Sequence, residues 1–158
     1  MGIKIDLPSL LTVLSLTANL FIGFLYRNEI PVSKDIGILL VSFGGLFFVY
    51  TLLYLRRGFF GGTEPELEFL ITDGPYRFCR HPLYLSFIIM ILGFDLAFRS
   101  VVGIIFTATV SMPALIYRAT VEDRLLRKEF GREWDDYANR VGFLFLKLGR
   151  SHRDEKVT

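Results

Sequence analysis

Two polar blocks in this chain hold the residue types from which a site could be assembled. Each abuts an apolar run long enough to enter a bilayer. The first is Gly74, Pro75, Tyr76, Arg77, Phe78, Cys79, Arg80, His81, Pro82, Leu83 and Tyr84. The second runs from Arg118 through Glu122, Asp123, Arg124, Leu125 and Leu126 to Phe130 and Gly131. Ionisable groups at such a boundary are expensive to place in lipid and mark function by default. Pro82 suits the first turn of a helix, where its missing N–H costs nothing. The remaining N–H groups of that turn can meet a carboxylate or another anion. His81 and Tyr84 lie within one turn and can present ring donors to the same spot. As ordinary interfacial residues, Arg80 and His81 would be anchors and Tyr84 part of an aromatic belt. The crowding of Tyr76, Arg80, His81 and Tyr84 about one helix start favours a site. In the second block Arg118 and Glu122 are four apart, hence neighbours on one helical face. They could pair with each other at a helix exit. Acting separately, a glutamate can accept both hydroxyls of a ribose, and an arginine can grip a carboxylate or phosphate through two parallel hydrogen bonds. Asp123 is expected to point elsewhere, as a cap or a solvated group.

These blocks must be positioned by helices. Apolar stretches cover residues 10–26, 36–55, 83–98 and 100–117, and a spanning helix needs roughly 20 residues, with about 17 as the lower limit. The third stretch is short and contains Asp95. Only Phe98, Arg99 and Ser100 separate it from the fourth, so the two form a tight hairpin, and the third is short enough to be re-entrant. Gly93 and Gly103 would let these two backbones approach, Gly44 and Gly45 offer another close contact, and Pro113 should bend the fourth helix. Beyond it, Leu125, Leu126, Phe130, Trp134 and Tyr137 fall near helical spacing. They predict an amphipathic C-terminal helix that caps a pocket. It either begins at Thr120 or continues the fourth helix. The expected class is all-α and polytopic. The chain divides into one domain over 1–150, with a first hairpin over 7–55, a ligand-binding half over 66–146 and a disordered tail over 151–158.

Bulk numbers agree with a membrane protein. Of 158 residues, 52% are hydrophobic and 22% charged, too apolar for a soluble domain of this size. A net charge of +2 gives no reason to invoke nucleic acid. One cysteine, Cys79, and two distant histidines, His81 and His152, exclude a disulfide within the chain and make no metal centre. With four crossings, one side receives 15 Lys and Arg and the other 3. The positive-inside rule then puts both termini and the 56–80 loop, with the site, in the cytoplasm. Glu64, Glu66 and Glu68 read as a solvated loop face, Asp95 as structural, and His152 as inert.

The two blocks resemble the integral membrane methyltransferases that act on isoprenylcysteine carboxylates or on phospholipids. The similarity covers about residues 66–145, through Gly74 to Tyr84 with Gly93, then Glu122, Asp123, Arg124, Leu125, Phe130, Gly131, Trp134, Tyr137 and Val141. It implies S-adenosylmethionine as cofactor, contacted by Glu68, Phe69, Leu70, Ile71, Tyr76, His81, Pro82, Leu83, Tyr84 and Glu122. It also implies Arg118 as the residue that orients the substrate, a lipidic or prenylated acceptor drawn from among membrane lipids. Departures are Asp123 where a second Glu is frequent, Trp134 where Tyr is common, and Val141, Gly142 and Phe143 in place of a Val-Pro turn.

Methyl transfer from a sulfonium is an in-line displacement, so a protein mainly supplies position and a dry pocket. A carboxylate acceptor needs no general base, whereas an amine acceptor must lose a proton. With Glu122 assigned to the cofactor, a carboxylate is favoured over a phospholipid amine. Sterol-reductase-like enzymes using NADPH share an Arg-His-Pro block but usually have Asn where Leu83 stands. A non-enzymatic membrane module would leave His81, Arg118 and Glu122 unexplained.

Overall fold

The computed structural model describes residues 7–28, 30–59 and 70–145, with the side chains of 56–59 left out. The residues expected at Glu68 and Phe69, and the tail over 151–158, lie outside the described residues.

The described residues form helices and turns, with one isolated bridge between Cys79 and Gly142. Helix α1 is Leu7–Leu25 and α2 is Lys34–Phe59. A 3-10 turn, Gly74–Arg77, precedes α3, Pro82–Phe98. Helix α4, Val101–Phe130, is continuous, and α5 is Arg132–Arg140. Three of these, α1, α4 and the Lys34–Leu55 part of α2, are long and apolar enough to cross a membrane. The protein is an all-α, polytopic integral membrane protein.

Helix α3 has 17 residues, about 25 Å at 1.5 Å per residue. Its two ends meet different parts of the bundle. At its start, Tyr84 reaches Glu122 of α4. At its finish, the carbonyls of Phe98 and Arg99 accept the backbone N–H groups of Asn28 and Ile30, just past α1. The α3–α4 corner is as tight as its three residues require. Arg99 adopts a left-handed conformation (φ 61°) as the C-cap, and Ser100 caps α4 by accepting the N–H of Gly103.

Helix α2 packs along α3. A Cβ on Gly37 would lie 2.2 Å from Ala97 N, and one on Gly93 would lie 2.7 Å from Val41 N. Gly93 therefore serves the α2–α3 contact and not the α3–α4 hairpin expected from sequence. Gly44 joins the same contact at Met90, while Gly45 meets nothing within 4 Å. Helical phase explains the difference, since adjacent residues face about 100° apart.

Pro113 shapes α4 through a π turn, Thr107–Ser111, closed by Met112 N–H donating to the Thr107 carbonyl. A proline lacks the N–H for residue i−4 and its ring collides with that carbonyl. Here Thr109 occupies i−4, inside the widened turn.

Beside this turn lies a buried polar cluster. Thr107 Oγ1 donates to Asp95 Oδ2, and the Asn19 amide donates to Asp95 Oδ1 at 2.9 Å. All three residues are fully buried. Gly103 leaves the room, because a Cβ there would sit 2.5 Å from Asp95 Oδ1. Asp95→Ala strands two buried donors, and such donors cost about 1–3 kcal/mol when unpartnered. The variant should unfold at lower temperature in detergent while ligand affinity at the other end of α3 is unchanged. Unchanged melting would show that the cluster does not brace α1, α3 and α4.

Candidate functional site

The site is built where the start of α3 meets the aqueous end of α4. Glu122, Leu126 and Phe130 follow each other at four-residue steps, so they share a face of α4. That face forms one wall of a cleft, with Leu55 of α2, Leu70, Ile71, Tyr76, Arg80, Trp134 and Tyr137 completing it. The empty volume is about 440 Å³ including the open mouth.

Gly131 closes the cleft by turning the chain. Its φ of +53° and ψ of −118° suit glycine and strain other residues. The break separates α5 from α4 and brings Trp134 and Tyr137 to the cleft wall, so the amphipathic helix expected at the C-terminus is split in two. Thr120 does not start a helix. It lies within α4 and donates from Oγ1 to the Ile116 carbonyl. Leu125, expected on the packed face, is exposed, and its neighbour Leu126 faces the cleft. Helix α5 buries Trp134 and Tyr137. Tyr137 donates to the Tyr76 carbonyl at 2.8 Å, tying α5 to the 3-10 turn.

Glu122 is set by Tyr84, whose hydroxyl donates to Oε2 at 2.6 Å. The Arg118 guanidinium lies close enough to act on the Tyr84 hydroxyl and reaches Ser9 Oγ of α1. Arg118, Tyr84 and Glu122 thus form one polar chain running from α1 to the cleft.

Asp123 corrects the sequence reading most. It does not point to solvent. Arg80 donates from Nη1 to Oδ2 at 2.8 Å, and His81, itself 2% exposed, donates from Nε2 to Oδ1 at 2.7 Å. Across the same corner, the N–H groups of Arg80 and His81 donate to the carbonyls of Gly142 and Phe143. The Phe143 ring packs against His81, with centroids 4.9 Å apart. The Val141, Gly142 and Phe143 turn is therefore the strap that seats the first block against α4.

The structure brings Leu70, Ile71, Tyr76 and Glu122 onto the cleft wall. Among the described residues, His81, Pro82, Leu83 and Tyr84 do not line it. His81 and Tyr84 stand behind it, bonded to Asp123 and Glu122. Pro82 occupies the first turn of α3 and is buried. Arg118 lies one turn deeper along α4 than Glu122. The cleft also recruits Arg80, Leu126, Phe130, Trp134 and Tyr137. Helical spacing signalled Leu126, Phe130, Trp134 and Tyr137, while Arg80 carried only the general crowding of its block.

Burial, then the nearby Glu122 charge, raise the Tyr76 hydroxyl well above the usual phenol range. Burial likewise raises Tyr137. Both stay protonated and able to donate. Burial pushes the Cys79 thiol up to about 11, which keeps it neutral and unsuited to act as a nucleophile.

The profile of the phospholipid methyltransferase family matches residues 33–133, more than half of the chain. The chain belongs to this family. A nickel-cobalt-cadmium resistance protein, NccN, of Alcaligenes xylosoxydans xylosoxydans is 40% identical over 81 residues, 50% of this chain and 37% of its own. The cobalt-zinc-cadmium resistance protein CzcN of Cupriavidus metallidurans is 34% identical over 125 residues, 75% of this chain and 51% of its own. Protein-S-isoprenylcysteine O-methyltransferase B of Arabidopsis thaliana is 33% identical over 72 residues, 46% of this chain and 36% of its own. The chain thus spans about a third to a half of the length of these relatives. As a member of the phospholipid methyltransferase family, it carries the matched region across α2, α3, α4 and the start of α5.

Proposed function

We infer that the protein is an S-adenosylmethionine-dependent methyltransferase whose acceptor is a carboxylate on an isoprenylcysteine-like or other lipidic molecule. The observation that carries this reading is the buttressed Glu122: a carboxylate on the wall of a largely apolar cleft, with one oxygen fixed by Tyr84. A nucleoside fits that donor set, since a carboxylate accepts two hydroxyls and the rings of Tyr76, Trp134 and Phe130 flank the same space. Glu122 and Tyr76 would hold the cofactor with Leu70 and Ile71 against it, and the expected contributions of Glu68, Phe69, His81, Pro82, Leu83 and Tyr84 belong to the same proposal. When bound, S-adenosylmethionine supplies a methyl group already activated on a sulfonium.

The residues of the chain supply position and dryness. Phe130 and, from helix α5, Trp134 and Tyr137 line the cleft with ring surface that disfavours water. Arg118 sits about 6 Å along α4 from Glu122, toward the membrane interior. A guanidinium there can orient a carboxylate whose lipid tail lies among the helices. No side chain is needed to remove a proton, because a carboxylate is already ionised at neutral pH. The charge asymmetry of the sequence supports a cytoplasmic position for this end of the bundle and for both termini.

N-methylation of a phospholipid amine is the second reading, favoured by the description of the matching family. Two relatives bear names of metal resistance. Among the described residues no group of three His, Cys, Asp or Glu could hold a metal ion, so direct metal binding has no support there. The test is to reconstitute the protein in vesicles and offer methyl-labelled S-adenosylmethionine with a farnesylated cysteine analogue or with phosphatidylethanolamine. Base-labile label on the cysteine analogue is expected. Label confined to the amine lipid would replace this reading with the second.

A further inference from the structure

Arg80 carries a feature that neither the two blocks nor the fold accounts for. Its guanidinium is fixed on several sides: Nη1 donates to Asp123 at 2.8 Å, and Cζ lies 5.4 Å from the Phe143 ring centroid and 5.8 Å from that of Trp134. Yet its Nε–H is buried and has no acceptor among the described residues. Buried donors in folded proteins are nearly always partnered, so an orphan calls for a specific cause. Arg80 is also the sole cationic residue among the described residues that line the cleft. An arginine held rigid by a carboxylate and by aromatic faces presents its remaining N–H edge at little entropic cost, which suits it to recognise an anion.

We propose that Arg80 is the anion contact of the cleft and that it takes the carboxylate at the amino-acid end of the methyl donor. The proposal rests on the S-adenosylmethionine reading above. It divides the cleft by charge. Glu122 serves hydroxyls at one position, and Arg80 serves the carboxylate at another. Asp123 then acts as a positioning residue, because it holds Nη1 and so sets the direction of the unpartnered Nε–H.

The test uses the full chain in detergent micelles. It compares the dissociation constants of S-adenosylhomocysteine and of its decarboxylated analogue. The wild-type protein should bind the carboxylate-bearing molecule about 10- to 100-fold more tightly, the range of one hydrogen bond to a charged group. Arg80→Gln should erase that preference by weakening S-adenosylhomocysteine alone. Arg80→Lys, which keeps the charge opposite Asp123 but lacks the Nε–H, should retain only part of it and is read by the same ratio if Arg80→Gln does not fold. Equal weakening of both molecules would make Arg80 a structural brace and overturn the proposal. So would a preference that survives in both variants. Failure of the wild-type protein to bind either molecule would overturn it together with the donor reading beneath it.

Discussion

Glu122→Ala is expected to weaken S-adenosylmethionine binding by about 100-fold or more, because a carboxylate that accepts two hydroxyls makes two hydrogen bonds of the charged kind. The substitution also strips the Tyr84 hydroxyl of its acceptor at 2.6 Å, so the loss exceeds that of a distant surface change. Tyr84→Phe keeps the carboxylate but frees its orientation, and should cost roughly 10-fold, the worth of one such bond. Calorimetric titration of the purified variants checks both. If Glu122→Ala binds the cofactor as well as the wild-type protein, the carboxylate is only a partner for Tyr84 and the cleft must hold its ligand by other means.

The second large effect concerns the acceptor. Arg118→Ala should lower kcat/KM for the lipidic carboxylate by about 100-fold, while the dissociation constant of the methyl donor stays within about twofold. The separation follows from geometry. Arg118 is one helical turn from Glu122, does not line the cleft, and reaches Ser9 of α1 and Tyr84 of α3. Steady-state kinetics with varied acceptor, run beside donor titrations, read the two quantities independently. Equal loss of both would mean that Arg118 supports the cleft as a whole through Tyr84 and has no separate claim on the acceptor.

Much of this arrangement was legible in the residues because it is local. Pro82 after His81 marked the start of α3, and the three residues from Phe98 to Ser100 marked a hairpin. The helical spacing of Leu126, Phe130, Trp134 and Tyr137 marked a packed face, and Pro113 marked a distortion in α4. What could not be read depends on which helix lies beside which. Gly93 is a small residue on α3 in any packing, and only the seating of Val41 and Gly37 against it shows that α2 is its partner. Asp123 follows Glu122 by one residue and so faces a different direction. Periodicity alone makes it solvated, whereas the strap from Val141 to Phe143 brings Arg80 and His81 to it across more than 40 positions. His81 shows the same limit from the other side. Its ring chemistry suggested contact with a ligand, and the fold adds partners that periodicity does not reveal, Asp123 and Phe143. The positive φ at Gly131, which splits the C-terminal helix and brings Trp134 and Tyr137 to the cleft wall, was present as a glycine but not as a direction.

The most direct test of the central claim is calorimetric titration of the detergent-purified wild-type protein with S-adenosylmethionine and, separately, with NADPH. Saturable binding of S-adenosylmethionine at one site, with no heat from NADPH, is the predicted result. Binding of NADPH alone would move the cleft to reductase chemistry, and binding of neither would contradict the assignment of this cleft as a cofactor site.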